Sequence, residues 1–209
     1  MKKKIIIVAQ SLSGGGTEVA LTEFINHLAI DKFDVTLLLV DKNTDFIDRI
    51  KRDIKIHYLA FDNNLYHNLV SMNALEGKVI KKALLNKKIK IYDKILPHVN
   101  SSVFKFRYDL AVDFYGYGSF TTAIVAKKIK TLKRATWIKN VEDYLRDYDK
   151  VFYVSKTIKN VFDNLYPQFN RKSEVFYNFV DINSILFKSQ EFIPIEFDKK
   201  NKILFRLGD

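Results

Sequence analysis

The chain has no cysteine, so disulfides and thiolate metal sites are excluded, as expected of a protein from a reducing compartment. Its four histidines, at 27, 57, 67 and 98, show no ligand spacing of the H-x-x-x-H kind, and no metal is expected. There is no G-x-x-x-x-G-K-[ST] run, which removes the P-loop, and no G-x-S-x-G elbow. No apolar stretch approaches the length needed to span a bilayer. The opening Met1-Lys2-Lys3-Lys4 leads into an apolar run too short for a signal peptide. Glycine is scarce, seven in 209 residues, and three of the seven stand together at 14, 15 and 16. No internal repeat or low-complexity tract is present.

What is there is globular composition: 47% apolar and 28% charged residues, enough for one large domain or one domain plus a tail. The formal charge is +11. Such an excess reads either as lysine-heavy coding or as the mark of an anionic partner, whether nucleic acid, a membrane surface or a phosphorylated substrate. Eleven tyrosines and seventeen phenylalanines read as core and edge packing. They do not stand beside basic residues at the spacing of RNA-binding modules, so no nucleic-acid partner is expected.

The stretch from Ile5 to Leu28 organises the rest. Ile5-Ile6-Ile7-Val8-Ala9 is a β-branched run without a polar gap, the pattern of a strand covered on both faces. The three glycines follow. Thr17 is placed to cap a helix whose apolar positions are Val19, Leu21, Phe24, Ile25 and Leu28. Gly14, Gly15 and Gly16 clear every side chain from a helix N-terminus, where outward N–H groups and the dipole favour an anion. The expected occupant is a phosphate or another acidic group.

Asp34 to Val40 is a second buried strand, Phe46 to Ile50 a short helix and Ile54 to Leu59 a third, weaker strand. Alternation of strand and helix predicts a parallel sheet. Leu65 to Leu96 reads as one long helix ended by Pro97. It carries seven lysines, among them Lys78, Lys81, Lys82, Lys87 and Lys88, against Glu76 and Asp93. Its stripe of Val79, Ile80, Ala83, Leu84, Ile91 and Ile95 makes it a basic amphipathic helix, able to lie on an anionic membrane or on the sheet. Further strands are expected at 109–114, 134–138, 150–154 and 174–177. Helices are expected at 120–129, from a Ser155 cap to Leu165, and from Asp181 to Lys188. Residues 189–201 read as a linker, and Ile203-Leu204-Phe205 starts a new strand, as a truncated second domain would.

Two short motifs compete with the anion seat. Gly14 and Gly16 match the first glycines of G-x-G-x-x-G, and Asp41 follows the second strand where a ribose-binding acid belongs in an NAD-binding domain. Against this, the third glycine position is Val19, and the glycines come several residues after the strand. Asp147-Tyr148-Asp149 spells D-x-D, a metal motif in some sugar-transfer enzymes. Immediately before a strand it reads as a turn.

Taken in order, several pieces resemble one family. Gly15-Gly16-Thr17-Glu18 after a buried strand looks like the G-G-x-E start of GT-B glycosyltransferases of family four (group one). Arg134-Ala135-Thr136-Trp137-Ile138 resembles the strand that ends in Trp-x-His. Val154-Ser155-Lys156, Phe162, Tyr166-Pro167 and Tyr177-Asn178-Phe179-Val180-Asp181 match later blocks in order. Ile203 to Leu207 resembles the first strand of the family's second domain.

The resemblance implies an α/β, Rossmann-like three-layer domain with a mostly parallel sheet, the N-terminal acceptor-binding half of a GT-B fold. Residues 1–188 would form it, and 189–209 a linker and the first strand of the donor domain. It implies a retaining, metal-independent hexosyltransferase with no cofactor. Such an enzyme uses a nucleotide sugar as donor and a glycan or lipid-linked acceptor in surface polysaccharide synthesis. It would be cytoplasmic and peripheral on the inner membrane face through Lys78, Lys81, Lys82, Lys87 and Lys88. Gly14, Gly15 and Gly16 would admit the donor diphosphate. Thr17, Glu18, Asp113, Tyr115 and Gly116 would line the acceptor side. The family histidine after the tryptophan strand is Lys139 here, a group able to bind an anion or polarise a hydroxyl but charged at neutral pH. Alone, the chain would lack most of the donor site and be inactive. The alternative of another class is a non-catalytic Rossmann-like module that holds a glycan or a membrane.

Overall fold

The computed structural model describes residues 1–60, 92–93, 95–115, 120–137 and 145–191. The helix expected over 65–96, with Lys78, Lys81, Lys82, Lys87 and Lys88, lies almost wholly outside these residues. So do Gly116, Lys139 and the strand expected at 203–205. The chain divides into two compact units, Met1–Phe179 and Val180–Asp209.

The first unit contains a seven-stranded sheet: β1 (Lys3–Ala9), β2 (Phe33–Leu39), β3 (Lys55–Tyr58), β4 (Arg107–Asp113), β5 (Lys130–Trp137), β6 (Lys150–Tyr153) and β7 (Ser173–Val175). The order across the sheet is β3-β2-β1-β4-β5-β6-β7, and every pairing is parallel. Helices α1 (Gly16–His27), α2 (Phe120–Lys127) and α3 (Lys156–Leu165) belong to the same unit. The second unit contains α4 (Ile182–Glu191), which begins directly after Asp181 and runs three residues past the expected end.

In β1 the run Ile5–Ala9 is apolar and buried because both faces of the strand are covered. Ile5, Ile7 and Ala9 pack with Ala20, Leu21 and Ile25 of α1, together with Leu37 and Leu39. The alternate residues Ile6 and Val8 pack with Phe120, Ala123, Ile124 and Ala126 of α2. Period-two alternation thus sends one apolar set to each helix layer. This is a three-layer, Rossmann-like α/β fold, with each buried aliphatic side chain contributing about 1.5–3 kcal/mol. A third cluster, Leu145, Val151, Tyr153, Phe162 and Phe169, seats α3 near the β7 edge.

Three local expectations are corrected. Helix α1 starts at Gly16 with Gly15 as its N-cap and no side-chain cap, so Thr17 lies inside the first turn. Strand β5 starts at Lys130, not Arg134. Residues before Ala135 pair only with β4, while β6 joins from Ala135. That half-exposed segment carries lysines and a threonine rather than an apolar run. The segment near Phe46 is a single 3-10 turn, Ile47–Arg49. Ser155 does cap α3, its hydroxyl accepting the Ile158 N–H.

Candidate functional site

Strand order points to a candidate site. From β1 the chain builds outward through β2 and β3, then returns to place β4 on the other side of β1. The crevice beyond the carboxyl ends of β1 and β4 is the topological switch point, where open α/β sheets bind ligands. Val8 of β1 is in register with Asp113 of β4, and the Phe114 N–H donates to the Val8 carbonyl (3.0 Å). Gly14–Gly16 and Asp113–Tyr115, far apart in sequence, therefore leave the sheet side by side.

The glycine loop is exposed. Gly14 has φ +97°, a left-handed conformation that side chains rarely adopt. A Cβ there would also meet the Phe46 ring at 3.6 Å. Gly16 faces open space, with nothing within 4 Å of where a Cβ would stand. The first bond of α1 runs from the Val19 N–H to the Gly15 carbonyl (3.1 Å). The N–H groups of Gly16, Thr17 and Glu18 precede it and belong to the helix end that attracts anions. Leu12, fully buried, holds the loop: its N–H donates to the Asn43 carbonyl (3.0 Å), and its carbonyl accepts the Phe46 N–H (2.9 Å).

Glu18 is buried, and its carboxylate folds back over Gly15. One oxygen is 2.7 Å from where a Gly15 Cβ would stand. Gly15 is thus the residue that lets this acid lie across the start of its own helix, where the dipole favours a negative charge.

Asp113 has no exposure at all. One carboxylate oxygen accepts the Thr121 hydroxyl (2.8 Å), and the other accepts those of Thr122 (2.7 Å) and Thr136 (2.9 Å). All three threonines are fully buried. Asp113 therefore ties the ends of β4 and β5 to the first turn of α2 and lies beneath the crevice, not on its surface. Tyr115, half-buried, is the next described group along that edge.

Four residues near the loop carry no signal in the sequence pattern. Ser11 and Ser13 share a hydroxyl–hydroxyl bond of 2.8 Å beside the glycines. Phe46 packs under Gly14, and the Arg49 guanidinium stacks 4.0 Å from the centre of the Phe46 ring. Only the fold brings Phe46 to residue 14 and Arg49 to Phe46.

The competing motifs resolve differently. Asp41 accepts the Asn43 N–H (3.1 Å) in the turn after β2. Asp147 pairs with Lys127 (2.7 Å), Asp149 accepts the Arg134 N–H (2.7 Å), and Tyr148 is buried between them in sequence. D-x-D is thus a turn that fastens β5, with its two acids already committed. His27 is structural, stacked on Phe179 at 4.9 Å with Nδ1 2.8 Å from the Glu23 carbonyl. Among the described residues no group of acids and histidines is arranged to hold a metal, and no helix is long and apolar enough to cross a membrane.

No protein-family model matches the chain, and no curated protein does. Solved structures do. A glycosyltransferase from Rickettsia africae aligns with TM-score 0.51 at 16% identity, covering 92% of this chain and 47% of that one. The apo form of the lipopolysaccharide outer core galactosyltransferase WaaB aligns at TM-score 0.48 and 17% identity, over 86% of this chain and 46% of that one. Anabaena Alr3699/HepE in complex with UDP aligns at TM-score 0.48 and 16% identity, over 86% and 45%. The chain spans about half the length of the structures it matches. The likeness is one of fold, and it is the fold that the resemblance to GT-B glycosyltransferases implies.

Proposed function

We propose that this chain is the acceptor-side domain of a GT-B glycosyltransferase that moves a sugar from a nucleotide sugar to a glycan or lipid-linked acceptor. The observation that carries the reading is the exposed Gly14–Gly16 loop at the switch point between β1 and β4, opening onto the start of α1. In the transfer, an acceptor hydroxyl oxygen bonds to the anomeric carbon while the bond to the diphosphate oxygen breaks, and the hydroxyl proton passes to the departing diphosphate oxygen. The nucleoside diphosphate leaves with the electron pair, and the first-turn N–H groups of α1 stabilise the charge that develops on it. Glu18 accepts hydrogen bonds from sugar hydroxyls. Thr17 and Tyr115 line the same crevice. Asp113 acts from below as a positioning residue, holding β4, β5 and α2 in register. Gly116 and Lys139 complete the site in this reading, Lys139 following the end of β5 by two residues in sequence and acting at the reacting centre.

The test is Gly16→Val in the intact enzyme, assayed with a panel of nucleotide sugars. Nothing lies within 4 Å of the added Cβ, so thermal unfolding should stay near that of the parent. Transfer should fall on the order of 100-fold, the usual result of displacing a reacting group by an ångström. Near-normal turnover would sink the diphosphate seat. A chain that binds glycan tightly but never turns over with any donor would favour the non-catalytic module.

A further inference from the structure

The segment after β2 places a cation beside the glycine loop that plays no part in the transfer described above. Arg49 ends the 3-10 turn Ile47–Arg49 and is exposed. Its backbone is fixed from two sides. Its N–H donates to the Phe46 carbonyl (3.1 Å), and its carbonyl accepts the side-chain amide of Asn26 on α1 (2.9 Å). The oxygen of that same amide accepts the Lys51 N–H (2.9 Å). Phe46 in turn is tied to the glycine loop, because its N–H donates to the Leu12 carbonyl (2.9 Å).

The side chain of Arg49 is held by its face and free at its edge. The guanidinium lies over the Phe46 ring, 4.0 Å from its centre, and the same ring is 3.6 Å from where a Gly14 Cβ would stand. One aromatic ring therefore separates the cation from the glycine loop. A cation–π contact uses the flat face of a guanidinium and leaves its N–H donors pointing outward in the plane. Among the described residues no acid pairs with them. Asp45 and Asp48, the nearest acids in sequence, are exposed and form no ion pair with Arg49. Other exposed cations lack this arrangement. Lys3, Lys32 and Lys130, near the strand starts, stand over no ring among the described residues, and Lys128, 5.3 Å from the centre of the Phe104 ring, is a point charge on a flexible stem.

A planar cation fixed in place with a free edge matches an oxyanion through two parallel N–H···O bonds. In the proposed function the donor diphosphate takes the first-turn N–H groups of α1. Arg49 stands on the Gly14 side of the loop, across Phe46, and is placed for a second acidic group. Resting on that acceptor-side reading, we propose that Arg49 is a specificity-determining residue that binds a carboxylate or phosphate on the acceptor's sugar, so that the acceptor is an acidic glycan. A neutral acceptor leaves this charge unmatched.

The experiment is an NMR titration of the full chain with glucuronate, glucose 6-phosphate and glucose, and separately with UDP. Both acidic sugars should bind and shift the amide signals of Gly14, Phe46 and Arg49, and glucose should not. Arg49→Gln should weaken both acidic sugars at least about tenfold, the scale of a charge-assisted hydrogen bond, and change UDP binding by less than about twofold. Arg49→Lys should restore binding only in part, because an ammonium cannot make the paired bonds. Circular dichroism checks that each variant is folded. Glucose bound as tightly as the acidic sugars would overturn the proposal. So would binding of neither acid, or acid binding unchanged in Arg49→Gln. UDP weakened by the same factor as the acidic sugars would assign Arg49 to the donor diphosphate and overturn it too. The transfer reading fails separately. An intact enzyme that transfers from no nucleotide sugar, while Arg49→Gln still loses the acidic sugars, would sink transfer and leave the acidic-sugar site standing.

Discussion

The two ends of one parallel sheet handle charge in opposite ways. Where the strands finish, the acid of β4 is fully buried and the three threonine hydroxyls that reach it are buried too. Where they start, the cations of β1, β2, β4 and β5 stand exposed and outside any ion pair among the described residues. About 23 Å of seven-residue strand separates the ends. At the finishing end, helix N-termini and the switch point demand fixed geometry, so charge is built into the fold. At the starting end, Lys55 is paired with Asp34 and Lys150 with Glu174, but the cations of β1 and β4 and those opening β5 are in no ion pair among the described residues.

The largest effect should come from breaking the finishing end. Asp113→Ala removes the acceptor for the hydroxyls of Thr121, Thr122 and Thr136, and leaves all three buried without it. At about 1–3 kcal/mol for each unsatisfied buried group, partly relieved by rotation of the hydroxyls, the variant should lose about 3 kcal/mol or more. Urea unfolding measures this directly. A loss under about 1 kcal/mol would show that the threonines find other acceptors and that Asp113 is not the anchor of this end.

A smaller effect should come from the second acid there. Glu18 contrasts with Asp113. It lies across the start of α1 with its carboxylate against Gly15, while Thr22, one turn on, donates its hydroxyl to the Val19 carbonyl. In the proposed function it repels the diphosphate it lies beside and favours a hydroxyl-bearing group instead. Glu18→Gln removes that repulsion but keeps the shape. Calorimetric titration with a free nucleoside diphosphate should show roughly twofold to fivefold tighter binding, the scale of one charge at a helix N-terminus. Weaker binding would mean that Glu18 assists the diphosphate rather than competing with it.

The contrast between the ends also marks what was legible in the sequence. The apolar run Ile5–Ala9 and the glycines after it announce β1 and the start of α1, because a doubly covered strand and a helix N-terminus are local patterns. Strand order is not local, so the meeting of Gly14–Gly16 with Asp113 and Tyr115 could be expected only from the general rule for open α/β sheets. The burial of Asp113 was not legible: an acid at a strand end reads as a cleft group until Thr121, Thr122 and Thr136 are seen around it. Phe46 reaches Gly14 from some thirty residues away, with Arg49 stacked on its ring, without any spacing signal. The first half of β5 was missed because its side chains are those of a strand with a neighbour on one side only. The same exposed lysines, scattered as Lys2–Lys4, Lys32, Lys105 and Lys130–Lys133, became one edge only through register.

The smallest effect should come from the starting end, and its smallness is the point. Lys3 is the first residue of β1, exposed and in no ion pair among the described residues. Its backbone supplies the pairing with Phe33, which alanine supplies equally well. Lys3→Ala should therefore leave unfolding stability within about 0.5 kcal/mol of the parent, as surface substitutions away from special features do. Relief of repulsion from Lys2, Lys4 and Lys32 even favours a slight gain at low salt, one that added salt should abolish. A loss above about 1 kcal/mol would mean that the lysine is part of the fold after all, and the two ends would then differ in degree rather than in kind. A gain that vanishes with salt would show that the edge holds charge at the expense of stability, as a surface retained for an external anion would.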